Sequence, residues 1–191
     1  MYYRAAYLRK LEMRKSFTSI STMSLLAALA TTAHASDGTI SFTGDISSDT
    51  CSISAANGTN DGTVTLPIVS ASALASPAAT AGATQFSITL SGCPQPFKQA
   101  AAWFESGSNV DAATGRLINT GTAGNVDVAL YNINSNTPIN IGQGSGFGSS
   151  GAAFDITNSS AILNYRASYY AKNAVTAGTV IATVNYTVQY E

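Results

Sequence analysis

The stretch Thr179–Tyr190, TVIATVNYTVQY, alternates cleanly and stops one residue short of the C-terminus. Val180, Ala182, Val184, Tyr186, Val188 and Tyr190 fall on one face of an extended chain. Thr179, Thr183, Asn185, Thr187 and Gln189 share the other face with Ile181. This period of two predicts a half-buried β-strand. Such a strand carries a row of backbone N–H and C=O groups that need a neighbour, because a bare edge invites aggregation. The neighbour comes either from an earlier strand of the same chain or from another molecule.

The chain starts very differently. Arg4, Arg9, Lys10, Arg14 and Lys15 precede an apolar run from Met23 to Ala30 and then Ala33-His34-Ala35, a small-x-small cleavage pattern before Ser36. This is the layout of a secretory signal peptide over residues 1–35. Ser19, Ser21, Thr22 and Ser24 shorten the apolar run below the roughly 20 residues of a membrane span. Ala28-Leu29-Ala30 satisfies the same cleavage rule, and Met13 would begin an ordinary signal peptide, which makes residues 1–12 an upstream extension.

Without residues 1–35, four basic side chains (Lys98, Arg116, Arg166, Lys172) face nine acidic ones, a net charge of −5. Nothing in that balance attracts nucleic acid or an anionic membrane. Cys51 and Cys93 are the two cysteines of the chain. In an exported protein they read as one disulfide, since two thiolates without histidine make a poor zinc site.

Along the remaining chain, Gly38, Ile40 and Phe42 share one face of an extended segment whose other residues are polar. A turn-rich Asn57–Gly62 leads into a strand over Thr63–Pro67, and Ser70–Thr84 reads as loop. Further strands are expected over Gln85–Leu90, Ala100–Glu105, Arg116–Ile118, Val126–Ile133 and Pro138–Ile141, with Trp103 as a core residue. Leu163, Tyr165, Ala167, Tyr169 and Ala171 line one face of the penultimate strand. Gly146, Gly148 and Gly151 spell a G-x-G-x-x-G, but no strand–helix unit surrounds it, so Gly142–Gly151 reads as a flexible loop. Eight or nine short strands with frequent turn signals predict an all-β sandwich of immunoglobulin-like type.

Catalysis needs a tuned proton-transfer group, a metal or an activated nucleophile. His34 leaves with the signal peptide, and the carboxylates sit singly, mostly in turns or solvent-facing strand positions. No enzyme, no cofactor and no metal site is expected.

In combination, four features resemble the structural subunits of chaperone–usher fimbriae, the type 1 pilin family of Gram-negative bacteria. They are the G-T-I-S-F-T-G opening at Gly38–Gly44, the pair Cys51 and Cys93, the Y-R-A-S-Y-Y-A segment at Tyr165–Ala171, and a C-terminal β motif. In that motif Gly178 stands fourteenth from the end and Tyr190 is penultimate. The resemblance implies an incomplete immunoglobulin-like sandwich, the pilin fold, completed by a donor strand from another subunit or a chaperone. It divides the chain into a signal peptide (1–35), an N-terminal donor-strand extension (36–46) and a pilin domain (47–191). It assigns Gly38, Ile40 and Phe42 to the donor strand. Gly178, Val180, Val184, Tyr186, Val188 and Tyr190 become the acceptor edge recognised by chaperone and subunit. The implied partners are a periplasmic pilus chaperone, an outer-membrane usher and other pilin copies, on a route through the periplasm to a surface fimbrium that supports adhesion. A minor or adaptor pilin, or a secreted carbohydrate-binding β-sandwich, is the rival reading.

Overall fold

The computed structural model describes residues 38, 40–44, 46, 49–148 and 152–191. The expected signal peptide lies outside them. The chain divides into two units, Met1–Gly44 and Asp45–Glu191. In the first, the described residues from 38 to 44 form neither helix nor strand, and Ile40 and Phe42 are 80% and 90% exposed.

The second unit is built from nine strands among the described residues: β1 (Ser52–Ala55), β2 (Thr80–Ser91), β3 (Gln99–Phe104), β4 (Val110–Asp111), β5 (Arg116–Ile118), β6 (Gly124–Asn132), β7 (Phe154–Asp155), β8 (Ser160–Thr176) and β9 (Tyr186–Tyr190). They form a six-stranded sheet in the order β1-β2-β8-β6-β5-β4 and a three-stranded sheet in the order β7-β3-β9. Every pairing is antiparallel. Alternation decides which residues fill the space between the sheets: Ile88 and Leu90 from β2, Val128 and Leu130 from β6, and Leu163, Tyr165 and Ala167 from β8 are buried there with Ala100, Ala102 and Phe104 of β3.

Tyr165 holds the two sheets together. Its ring meets Phe104 and Phe154 edge-on, with centroids 5.1 Å and 5.7 Å away, and lies 5.7 Å from Phe86. Its hydroxyl accepts the Ala102 N–H at 3.0 Å, across from the other sheet. Burial pushes this phenol up to about 12, so it stays neutral. At one end, Cys51 and Cys93 are bonded and tie the residue before β1 to the loop after β2.

Several expectations are corrected. Within Ser70–Thr84 the chain forms a 3-10 turn at Ala71–Leu74, with Ser70 capping it and Leu74 buried, and β2 already starts at Thr80. Gly82, at φ +67, makes the bulge that shifts β2 against β8 between Ala81 and Thr84. Pro138–Ile141 contributes only a bridge from Pro138 to Tyr131. Trp103 is half-buried, outside the core cluster, because it faces away from Tyr165 on β3. Residues 63–67 run without strand pairing. Asp127 is wholly buried rather than solvent-facing. On the outer face of the larger sheet it pairs with Lys172 Nζ at 2.9 Å and Arg116 Nε at 3.5 Å, while the Arg116 guanidinium lies 4.0 Å over the Tyr170 ring.

Candidate functional site: an open sheet edge

The final segment is covered on one side only. Gln99 and Glu191 exchange both backbone hydrogen bonds, which makes them a hydrogen-bonded pair of the antiparallel ladder. Given the register Ala100↔Tyr190 through Phe104↔Tyr186, hydrogen-bonded pairs recur at Gln189 and Thr187. Glu105 N–H then donates to Asn185 C=O at 2.9 Å. Beyond β3, the segment 119–123 takes over: Thr120 N–H donates to Ile181 C=O at 2.9 Å and Ala123 N–H to Thr179 C=O at 3.0 Å. In return, Ile181 N–H reaches Asn119 Oδ1 and Thr179 N–H reaches Thr122 Oγ1.

All of these partners serve odd-numbered residues. The N–H and C=O groups of Val180, Ala182, Val184, Tyr186, Val188 and Tyr190 point the other way, where no backbone partner stands among the described residues. The side chains of the same six residues pack against the core, yet all remain half-buried. One row of residues is therefore short of both a ladder partner and a side-chain cover. That is what a missing strand leaves behind.

The opposite lip is formed by the chain after β1. Residues 61–69 make no backbone–backbone hydrogen bond among the described residues. Val64 and Leu66 are half-buried, with Leu66 against the core. Two tyrosines tie the edge to the chain on either side of β1, Tyr186 to the lip after it and Tyr190 to Thr50 before it. Tyr186 Oη donates to Asn60 C=O at 2.7 Å, and Tyr190 Oη accepts from Thr50 Oγ1 at 3.2 Å with its ring stacked on Phe97, centroids 4.7 Å apart. Burial, aided by Asp61 and Tyr190, raises the Tyr186 pKa and keeps it a donor.

Val180, Val184, Tyr186, Val188 and Tyr190 thus lie together along one edge. Gly178 stands at its base for a different reason. A Cβ there would sit 2.4 Å from Ala123 N, and one on Gly121 would sit 2.2 Å from Thr179 O, so glycines let the two segments cross. Ala182 belongs to the same row but was not among the expected site residues, although the alternation already put it on the core-facing side. Among the described residues, no group of three or more His, Cys, Asp or Glu side chains could hold a metal ion.

The family model described as type-1 fimbrial protein, A, matches residues 66–191. The chain belongs to this family. The F17 fimbrial protein of Escherichia coli is 39% identical over 173 residues, covering 87% of this chain and 94% of that protein. The major fimbrial subunit SMF-1 of Stenotrophomonas maltophilia is 40% identical over 171 residues, 87% of this chain and 99% of that one. Among solved structures, the P pilus rod subunit PapA superposes with a TM-score of 0.58 at 18% identity, over 75% of this chain and all of PapA. The fold is a pilin fold, and the pilin is a structural subunit of a chaperone–usher fimbria. Pilins of this kind polymerise with other pilin subunits into a surface fimbria.

Proposed function

We propose that the open edge over Val180–Tyr190 is an acceptor groove for a donor strand, and that residues 36–46 of another copy supply it in the fibre. Before assembly, a strand of a periplasmic chaperone occupies the same groove, and the subunit is handed over at an outer-membrane usher. Residues 1–35 direct export and are removed, and residues 47–191 form the pilin domain. The observation that carries this reading is the coincidence, on the same six residues, of bare backbone groups and half-buried side chains. Strand addition satisfies both deficits at once. Each copy holds one donor and one acceptor, so the contact is heterologous and grows a filament rather than a closed ring.

The test is gel filtration of the mature subunit with and without chaperone, beside a version with GTISFTG added after Glu191 through a short linker. Expected are a chaperone-dependent natural subunit and a stable self-complemented monomer. A natural subunit that is a stable monomer alone refutes the missing strand. Deleting Asp37–Phe42 abolishes polymer and leaves chaperone capture intact; polymer from that deletion removes the donor assignment.

A further inference from the structure

We propose that the cleft between the edge of β2 and residues 63–65 is a binding site for a neutral pyranose sugar, carried by every subunit. It shares no residue with the row along β9, so it goes beyond the proposed function and does not rest on it.

β1 leaves β2 early. It covers β2 only from Ser91 back to Ile88, then ends in a tight turn where Ala56 and Asn57 take φ 45 and 65 and Gly58 N–H donates to Ala55 C=O at 2.8 Å. The last bond along this edge runs from Ala56 N–H to Ser87 C=O, also 2.8 Å. The N–H and C=O of one strand residue point to the same side, and those of the next residue to the other. Ser87 N–H and both backbone groups of Gln85 therefore face away from β8, where residues 61–69 offer no backbone–backbone hydrogen bond among the described residues. Between the two runs lies a cleft of about 290 Å³.

Its walls carry hydrogen-bonding groups without charge. Asn57, Thr63, Thr65, Gln85, Ser87 and Asn164 line it, and their side chains make no hydrogen bond among the described residues. Several amides elsewhere are tied down: Gln99 to Asp155, Asn109 to Thr183, Asn125 to Ala174 C=O, and Gln189 to the Gly146 amide. No Lys, Arg, Asp or Glu lines the cleft. Ser87 stands directly opposite Asn164 across β2 and β8, so a paired sheet sets their positions. Half-buried Phe86 and Val64 add an apolar wall.

These features select a ligand by class. An anion or a nucleotide finds no cation there, and an apolar ligand would strand the amides and hydroxyls it covers. A peptide strand needs about five residues of edge, whereas the stretch of β2 lining the cleft runs only from Thr84 to Ser87. A pyranose matches what is offered. Amides both donate and accept and so bridge neighbouring sugar hydroxyls, the Ser and Thr hydroxyls take either role, and the C–H face of the ring packs on Phe86 and Val64. An open, uncharged site binds weakly alone. Repeated along a fibre, such sites act together, and avidity exceeds the affinity of a single site by about 10²–10⁴.

The test is saturation-transfer NMR on purified fibres, titrated with the methyl glycosides of glucose, galactose and mannose, with N-acetylglucosamine, and with the anionic sugar sialic acid as control. Natural fibres should transfer saturation to at least one neutral sugar at millimolar concentration and not to sialic acid. Gln85→Ala/Asn164→Ala should weaken that binding about tenfold or more, through the loss of two hydrogen-bonding side chains. Fibre yield should stay unchanged, because both side chains are exposed. Binding that survives the double variant places the sugar elsewhere, on this or another subunit, and overturns the site. Transfer to sialic acid as strong as to the neutral sugars overturns the ligand class, and transfer to no neutral sugar overturns the proposal. If the double variant forms no fibre, Thr65→Val is read in its place, since it removes a hydroxyl at nearly constant shape from a segment without strand pairing. It should weaken binding several-fold; unchanged binding overturns the site.

Discussion

Replacing Tyr165 by Phe isolates the hydrogen bond that its hydroxyl makes across the core to the other sheet. The ring contacts with Phe86, Phe104 and Phe154 survive the change, because they involve ring atoms only. What is lost is the acceptor for the Ala102 N–H, 3.0 Å away. Ala102 is itself buried, and its opposite number on β9, Val188, is a non-hydrogen-bonded partner, so the amide has no ladder bond to fall back on. Stranding a buried N–H costs about 1–3 kcal/mol. With a urea slope of about 1–3 kcal/mol per molar, the unfolding midpoint of the self-complemented form drops by roughly 1 M. Hydrogen exchange should locate the effect, with Ala102 losing protection before its neighbours. The phenol adds a pH signature. Its pKa rises from 10.0 in the unfolded chain to about 12 in the fold. The unfolded state therefore sheds its proton first, and the stability held below pH 10 falls away as pH rises toward 12. Tyr165→Phe removes that part of the alkaline loss. An unchanged midpoint with a protected Ala102 amide would refute the bridging role.

Three further perturbations probe the scaffold. Asp127→Ala leaves Arg116 and Lys172 without their shared carboxylate and should cost on the order of 2 kcal/mol, less than for a fully buried pair because both cations reach solvent; denaturant unfolding with and without 1 M salt checks it, and a neutral outcome contradicts a structural role. Replacing both Cys51 and Cys93 by Ser removes a cross-link between residues 42 apart in sequence and should lower stability by about 4 kcal/mol, read as the loss of folded self-complemented subunit on mild denaturation. Gly178→Ala forces a Cβ onto the Ala123 amide and should cost about 1–3 kcal/mol and weaken chaperone capture, measured by co-purification, whereas Gly44→Ala, with nothing within 4 Å of its Cβ, should fold as before.

The alternation of β8 and β9 made their faces readable in advance, since burial of one face imposes a period of two on side chains. Arg116–Ile118 was legible to the residue for the same reason. Residues 63–67 carry the same pattern and yet form no strand, because a period of two records where side chains point and not whether the backbone has a partner. That distinction is the candidate site itself, so the open edge entered the sequence reading through resemblance to a family rather than through alternation. Asp127 was misread because its partners come from other strands: Arg116 from β5 and Lys172 from β8. A lone carboxylate between valines gives no sign of them. Trp103 went wrong through its neighbours. Three small alanines precede it, and the two core-facing positions flanking it are Ala102 and Phe104, which leaves the indole on the outer face.

The two deficits of the subunit explain each other. A complete sandwich would gain stability from a tenth strand beside β9, but one that could not leave would also end the possibility of assembly. Here the row along β9 lacks a ladder partner among the described residues, while Tyr165, the disulfide and the Tyr186–Asn60 and Thr50–Tyr190 bonds hold the surrounding structure in place. A groove held open in this way loses little conformational entropy when a strand arrives, so more of the contact energy appears as affinity. If residues 36–46 of another copy arrive as proposed, they bring what the groove lacks. Burying side chains such as Ile40 and Phe42 is worth about 1.5–3 kcal/mol each, and each new ladder bond adds about 1 kcal/mol. Exposed on a free subunit, those same side chains and the same bare edge are an aggregation hazard. On the donor-strand proposal, covering both with one strand turns the hazard into the joint of the fibre, and the cost of leaving either uncovered calls for a chaperone before that strand is available.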